Sequence, residues 1–240
     1  MSLISLAQKG LLPKIQHMDN ETLKWIESNR PDFAKTKQIF SPQILNQVKK
    51  YFPAKQWFLE KSCIGSIHGL RHILRVVANA SNLIIGKKIN FPLSRNLLVA
   101  SSLHDLRRKN DKGDKGHADR ARKQFLLNAI EISKYYNIIF SNKDKEEISN
   151  AIYFHEIPYS QIRTDERYLK HKMIIDLLKT ADALDRYRLP KLKWWINDDF
   201  LRLIPDKFQK QFAFNLVINS EKKYLFNGNS TESVLNSLTC

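Results

Sequence analysis

Apolar residues recur at helical spacing along most of this chain, and alternation with a period of two is nearly absent through residue 200. Proline, serine, asparagine and glycine punctuate the pattern. Asn20 is placed to cap a helix over "ETLKWIESN" that stops before Pro31, and "SPQILNQVKKYF" opens with Ser41 as N-cap and Pro42 in its first turn. "HGLRHILRVVANASNLIIG" predicts a long buried helix closing on Gly86, and "SRNLLVASSLHDL", apolar nearly all round, predicts a central one. "HADRARKQFLLNAIEISKYY" reads as one amphipathic helix. Ser141 and Asp144 form a capping-box start for "NKDKEEISNAIYFHE", and "KHKMIIDLLKTADALDRYR" must stop before Pro190. The tail "FQKQFAFNLVINSEKKYLFN" fits a helix or a short hairpin.

The expected class is therefore all-α: a helical bundle with an N-terminal helical extension over 1–62, a core over 63–190 and a C-terminal segment over 191–240 that packs on the core. No repeat or low-complexity linker divides it. One stretch breaks the compact pattern: "RRKNDKGDKGHADRARK" is polar, dense in both charge signs and carries Gly113 and Gly116, the composition of a long functional or solvated loop.

Hydrophobic residues make up 42% of the 240, enough to bury a core. Forty Lys and Arg against 24 Asp and Glu give a net charge of +16, which would concentrate phosphate-bearing ligands around the surface or simply keep it solvated. Cys63 and Cys240 are the only cysteines, which argues against a disulfide framework or a cysteine-based zinc site and for a reducing compartment. No window has the uninterrupted apolar length of a bilayer span, and the opening "MSLISLAQKGLLPK" puts its charge after a short apolar run, the reverse of a secretory signal. A soluble cytoplasmic protein with no membrane partner is expected.

Against this background a few polar residues stand in apolar helical surroundings. His72 lies within one predicted helix, His104 and Asp105 end the next, and Asp182 sits in "LLKTADALDRYR". Ligand-capable groups on three helices are how a bundle holds a metal in its core, and a cation would give each buried acid a partner; separate, individually satisfied groups would give the same pattern. His68, four residues before His72, shares a helical face with it if the helix begins early enough. "HGLRH" lacks the glutamate a zinc protease needs, so His68 reads as a group facing substrate or supporting the ligands.

"RHILRVVANA", "SLHDL" and "KTADALD" together resemble the HD-domain metal-dependent phosphohydrolase superfamily, whose signature is H…HD…D on a helical core. The resemblance spans roughly residues 64 to 190; "SIHGLRHILRV", "HDLRRKND" and "GHADRA" are similar more narrowly to small bacterial HD proteins with an HGxxHxxRV opening. It implies that His72, His104, Asp105 and Asp182 bind a divalent metal. His117 and His155 correspond in order to two histidines by which some members hold a second metal, though His117 follows the pair closely. They are thus either ligands of that metal or a proton donor and phosphate contact beside a single one.

Histidine and carboxylate ligands suit manganese, iron, nickel or cobalt, with magnesium if the site is rich in oxygen. Such a metal lowers the pKa of bound water and neutralises a phosphoryl oxygen, so hydrolysis of a phosphoester follows, with Asp105 placed to bridge or orient the water. Arg107, Arg108 and Lys109 follow the pair, and Lys179, Arg186 and Arg188 flank Asp182, two basic clusters that could converge on phosphate; Arg107, Arg108, Lys179 and Arg186 are the expected substrate contacts. Tyr153, Tyr159, Tyr187, Trp194 and Trp195 either stack a base or pack the core. The expected substrate is a nucleotide, cyclic nucleotide or nucleic-acid end. The alternatives are a nucleic-acid-binding or signalling module with a vestigial site, and a di-iron oxygenase, which requires both His117 and His155 as ligands. The opening helices either cover the site or form a contact in a homo-oligomer, and their pattern does not choose.

Overall fold

The computed structural model describes residues 1–34 and 41–239, and no strand occurs among them. Cys240 lies outside the described residues. The α-helices run α1 (Leu3–Gln8), α2 (Asn20–Ser28), α3 (Pro42–Lys50), α4 (Leu70–Gly86), α5 (Leu93–Leu103), α6 (His117–Leu127), α7 (Ala129–Tyr136), α8 (Asn142–Phe154), α9 (Tyr159–Ile162), α10 (Glu166–Lys170), α11 (Lys172–Leu184), α12 (Lys207–Asn227) and α13 (Ser230–Ser237), with short 3-10 turns between some of them.

At the centre α4, α5 and α11 pack on one another, and α8 closes against α5 and α11. Their sequences leave little choice: every side chain of α5 from Asn96 to Leu103 is buried, and α4 is buried continuously from Leu70 to Ser81. Around this centre α3, α12 and α13 cover α4, while α6 lies along α8. One apolar cluster runs from Met18 and Leu23 through Leu74 and Leu177 to Phe214 and Leu238, so the opening and closing segments share the core of the middle. No helix among the described residues is long and apolar enough to cross a membrane.

Several local expectations change. Asp19, not Asn20, caps α2, accepting from Thr22 N at 2.8 Å; its acid is a stronger acceptor at the helix start. Gly86 remains helical, and the left-handed turn falls on Lys88 (φ 52°); a Cβ on Gly86 would approach Gln209 Nε2 to 2.9 Å, so close packing of α12 explains this glycine. The predicted helix from His117 to Tyr136 breaks at Asn128, whose side chain donates back to the Gln124 carbonyl and separates α6 from α7. The ambiguous tail is the helix α12. Gln211 to Ile218 are all buried, so apolar and polar positions do not segregate to one face; burying Phe214 alone contributes roughly 1.5–3 kcal/mol.

Candidate metal centre

Five helix ends or faces bring the histidines and acids together. His72 projects from the middle of α4 and Asp182 from α11; His104 and His155 are the residues that terminate α5 and α8; His117 is the first residue of α6. The two terminating histidines are fixed by the same device. Each turns Nδ1 back to a carbonyl three residues earlier, His104 to Ser101 at 2.8 Å and His155 to Ile152 at 2.6 Å, satisfying carbonyls that a helix end leaves open. His117 reaches the ends of the loop before α6 and of α8, its Nδ1 lying 2.8 Å from the Asp114 carbonyl and 2.9 Å from Glu156 Oε2. His72 Nδ1 lies 2.8 Å from Asp185 Oδ2.

Since Nδ1 of each ring faces an oxygen acceptor, the neutral rings carry their proton there and turn a lone pair outward at Nε2. These lone pairs converge. Nε2 of His72 and His104 are 3.2 Å apart, and Nε2 of His117 and His155 are 3.1 Å apart. Between the pairs stands Asp105, with Oδ2 3.4 Å from His72 Nε2 and Oδ1 2.9 and 3.4 Å from Nε2 of His117 and His155. Asp182 Oδ1 joins the first pair, 3.5 Å from His72 and 3.9 Å from His104. Unprotonated nitrogens at such distances repel, and acceptors held this way from behind are the arrangement that orients metal ligands. The buried groups His72, His104 and Asp105, and Asp105, His117 and His155, can each hold a cation, with Asp105 common to both.

The electrostatics agree with that reading. Burial pushes His104 down to about 3, so it is neutral near pH 7. Burial would raise the Asp105 carboxyl, but Arg108, His117 and His104 outweigh it and hold the group well below the carboxylate range. For His117 burial opposes protonation, yet Asp105 and Glu156 prevail and raise it to about 10; without a cation, a proton on His117 is what reconciles the second pair with its acid. Asp182 would also rise by burial, but the neighbouring His72 and His104 lower it to about 2.

Asp105, Asp182, His117 and His155 open onto a cavity of about 280 Å³, whose wall also includes His68, Arg108, Arg186 and Arg188. His68 lies ahead of α4, so it does not share a helical face with His72. The chain turns too tightly at Gly69 to continue the helix backwards: a Cβ there would meet the Cys63 and Ile64 carbonyls at 2.2 Å. Asp111 holds His68 instead, its Oδ1 3.1 Å from His68 Nδ1 and 2.8 Å from Ser66 Oγ. Asp111 is in turn tied to the opening segment, accepting from Gln16 N at 2.7 Å while its own amide donates to the Lys14 carbonyl at 2.7 Å.

The structure gathers Asp105, Asp182, His117, His155, His68, Arg108 and Arg186 in the wall of this cavity, with His72 and His104 buried behind Asp105 and Asp182. It does not bring Arg107 there. That side chain donates to the Trp57 carbonyl at 3.2 Å on another face of the turn, because successive residues after Asp105 point in different directions. Lys179 stands behind His155, donating to the carbonyls of His155 and Ile157 at 3.0 and 2.6 Å, and faces a second chamber. Of the aromatic residues, Tyr187 and Trp195 pack with Phe214, and Tyr153 lies beneath Arg122 and Arg167. Residues not singled out from the sequence are Asp185, Asp111 and Glu156; the signal for Asp185 was its place one helical turn after Asp182, and for Glu156 its adjacency to His155.

Set against protein-family models, curated proteins and solved structures, the chain matches none.

Proposed function

We propose that the chain is an HD-type metal-dependent phosphohydrolase that cleaves a phosphoester of a nucleotide or nucleic-acid end. The observation that carries this reading is Asp105, whose two oxygens face two different pairs of histidine Nε2 atoms in a cavity walled by arginines. A divalent cation, of which manganese, iron, nickel and cobalt best suit mixed imidazole and carboxylate ligands, supplies Lewis acidity and a water of lowered pKa when bound. His72, His104, Asp105 and Asp182 would hold one such ion, and Asp105, His117 and His155 a second.

The remaining work belongs to the chain itself. Arg108, reaching Asp105 at 3.3 Å, and Arg186, at the boundary with the next chamber, offer guanidinium donors to phosphate oxygens as charge builds on them. Arg188, pinned by the Ile67 carbonyl and by Asp185, adds fixed positive charge to the wall. Asp105, with one oxygen toward each pair of histidines, would orient a water there, and His68, steadied by Asp111, faces the same space.

A dioxygen-activating di-iron protein would need both His117 and His155 as ligands, and their convergence supports that second reading, so oxygen consumption belongs in the same test. Metal content should be measured by elemental analysis on wild type and Asp105→Ala, together with manganese-dependent hydrolysis of a panel of nucleotides and oligonucleotides. Metal and hydrolysis present in wild type and lost together in the variant are expected. Bound metal without turnover of any phosphoester, or hydrolysis that survives Asp105→Ala, would overturn the reading.

A further inference from the structure

Beside the metal centre lies a larger chamber of about 570 Å³, and His155, Glu156, Asp182 and Arg186 belong to the walls of both. Four cations face this second space: Lys179, Arg186, Lys193 and Arg202. Among the described residues none of the four lies within 4.0 Å of a carboxylate. For Lys193 and Arg202, which are exposed, that is unremarkable; for Lys179, only 9% exposed, it is not. The acids whose charge reaches it, Asp182, Asp176 and Glu156, all lie farther off than 4.0 Å, and the His155 and Ile157 carbonyls take two of its three donors.

The acids of the chamber are already committed. Glu156 is held by His117 at 2.9 Å and Asp182 faces the histidines of the metal centre, which leaves Asp199. Lys179 Nζ and the Arg202 guanidinium both lie over the ring of Tyr159, 4.9 and 5.1 Å from its centre, and the Tyr159 hydroxyl is anchored on Asp176 at 2.8 Å. Two like charges are therefore held around one fixed ring, with Ile157, Trp195 and Leu201 supplying apolar wall. An anion beside Lys179 and Arg202 would give each a charge-assisted contact that no carboxylate within 4.0 Å supplies. The volume lies within the range of small-ligand sites and exceeds what a lone phosphate fills.

We propose that this chamber receives a second anionic group of the substrate, so that the substrate is a small phosphoester bearing two separate phosphates. The scissile phosphate sits at the metal centre and the other in the chamber lined by Lys179 and Arg202, with the body of the molecule along the apolar wall. The assignment of the scissile end rests on the phosphohydrolase reading.

The probes are adenosine 3′,5′-bisphosphate and adenosine 5′-monophosphate, titrated calorimetrically into the full chain in chelator so that turnover cannot consume them. The bisphosphate should bind at least about tenfold more tightly, the scale of one added charge-assisted contact, and Arg202→Gln should remove most of that preference. With manganese, the ratio of kcat/KM for the bisphosphate to that for the monophosphate should fall in the same variant. Equal affinities in wild type, or a preference untouched by Arg202→Gln, would overturn the proposal even if the monophosphate is hydrolysed. A bisphosphate preference lost in Arg202→Gln, with no hydrolysis of either probe or of any phosphoester in the panel, would support the chamber while sinking the hydrolase. An oligonucleotide that binds as tightly as the bisphosphate, with the same loss in the variant, would overturn the small-molecule form.

Discussion

His72 is the meeting point of two buried clusters whose polar groups are balanced in opposite ways. On its Nδ1 side, Asp185 takes Arg75 at 2.6 Å, Arg75 takes Glu221 at 2.6 Å, and Glu221 takes Arg71 at 3.0 Å, each acid matched by a guanidinium. On its Nε2 side the nearest groups are other lone pairs and carboxylate oxygens. Both sides are largely buried, though Asp182 is 28% exposed; what differs is the balance of charge. A network whose acids are matched by guanidiniums holds a fold together, whereas one whose acceptors converge on a common space is built to be completed from outside.

The largest effect that separates the two should come from Arg75→Ala. Removing it takes one guanidinium from each of two buried acids, leaving Asp185 to Arg188 and His72 and Glu221 to Arg71, and a loss of about 3–5 kcal/mol is expected in urea unfolding, as for other broken buried pairs. Asp105→Ala should cost the metal-free protein less, because His117 can release its proton and become neutral. A comparable loss in both variants would erase the distinction between the clusters.

Next in size is the response to a cation. Manganese at a hundred times its dissociation constant should stabilise the wild type by about 2.7 kcal/mol per site, read as a rise in the urea midpoint, with no such rise in Asp105→Ala. A cation that stabilises both proteins alike would be binding elsewhere.

A smaller effect concerns pH. In the metal-free protein His117 is raised from 6.5 to about 10, so between those values the folded state binds more protons than the unfolded chain. Its stabilising contribution is full below pH 6.5 and is lost as pH climbs towards 10. Unfolding midpoints in chelator at pH 7 and pH 9.5 should therefore diverge in wild type and lie closer together in His117→Gln.

The smallest effect is expected at Arg107, which the sequence places beside the pair and the structure places elsewhere. Arg107→Ala should lose only about 0.5–1.5 kcal/mol, the value of its bond to the Trp57 carbonyl, with metal content unchanged. Arg108→Ala, by contrast, should weaken phosphate binding in a competition assay.

That contrast marks the boundary of what could be read from the sequence. His72, His104, Asp105 and Asp182 were legible because a polar residue in an apolar helical stretch advertises itself, and their order carried the resemblance. His117 and His155 were found by order, but only the structure brings both beside one Asp105 oxygen. Direction within a turn is another matter: Arg107 and Arg108 are chemically equivalent neighbours, and no periodicity exists after Asp105 to tell them apart. Glu221 could not be inferred, since it is 150 residues from Arg71 and lies in a helix buried too evenly to show a face. Asp111 was hidden in a loop so rich in charge that no single acid stood out.

The ties of Asp111 carry a consequence for how the protein breathes. The rim around His68 is not part of any helix; it is a crossing of three irregular segments, closed by the amides of Gln16, Ile67 and Asp111 donating across one another. Opening that crossing exposes a handful of amides and leaves α4, α5 and α11 intact, so the mouth of the cavity can fluctuate as a unit of its own, at an energy far below that of global unfolding. Its closure joins residues 95 positions apart and makes residues 14–17 as much a part of the mouth as the residues that line it.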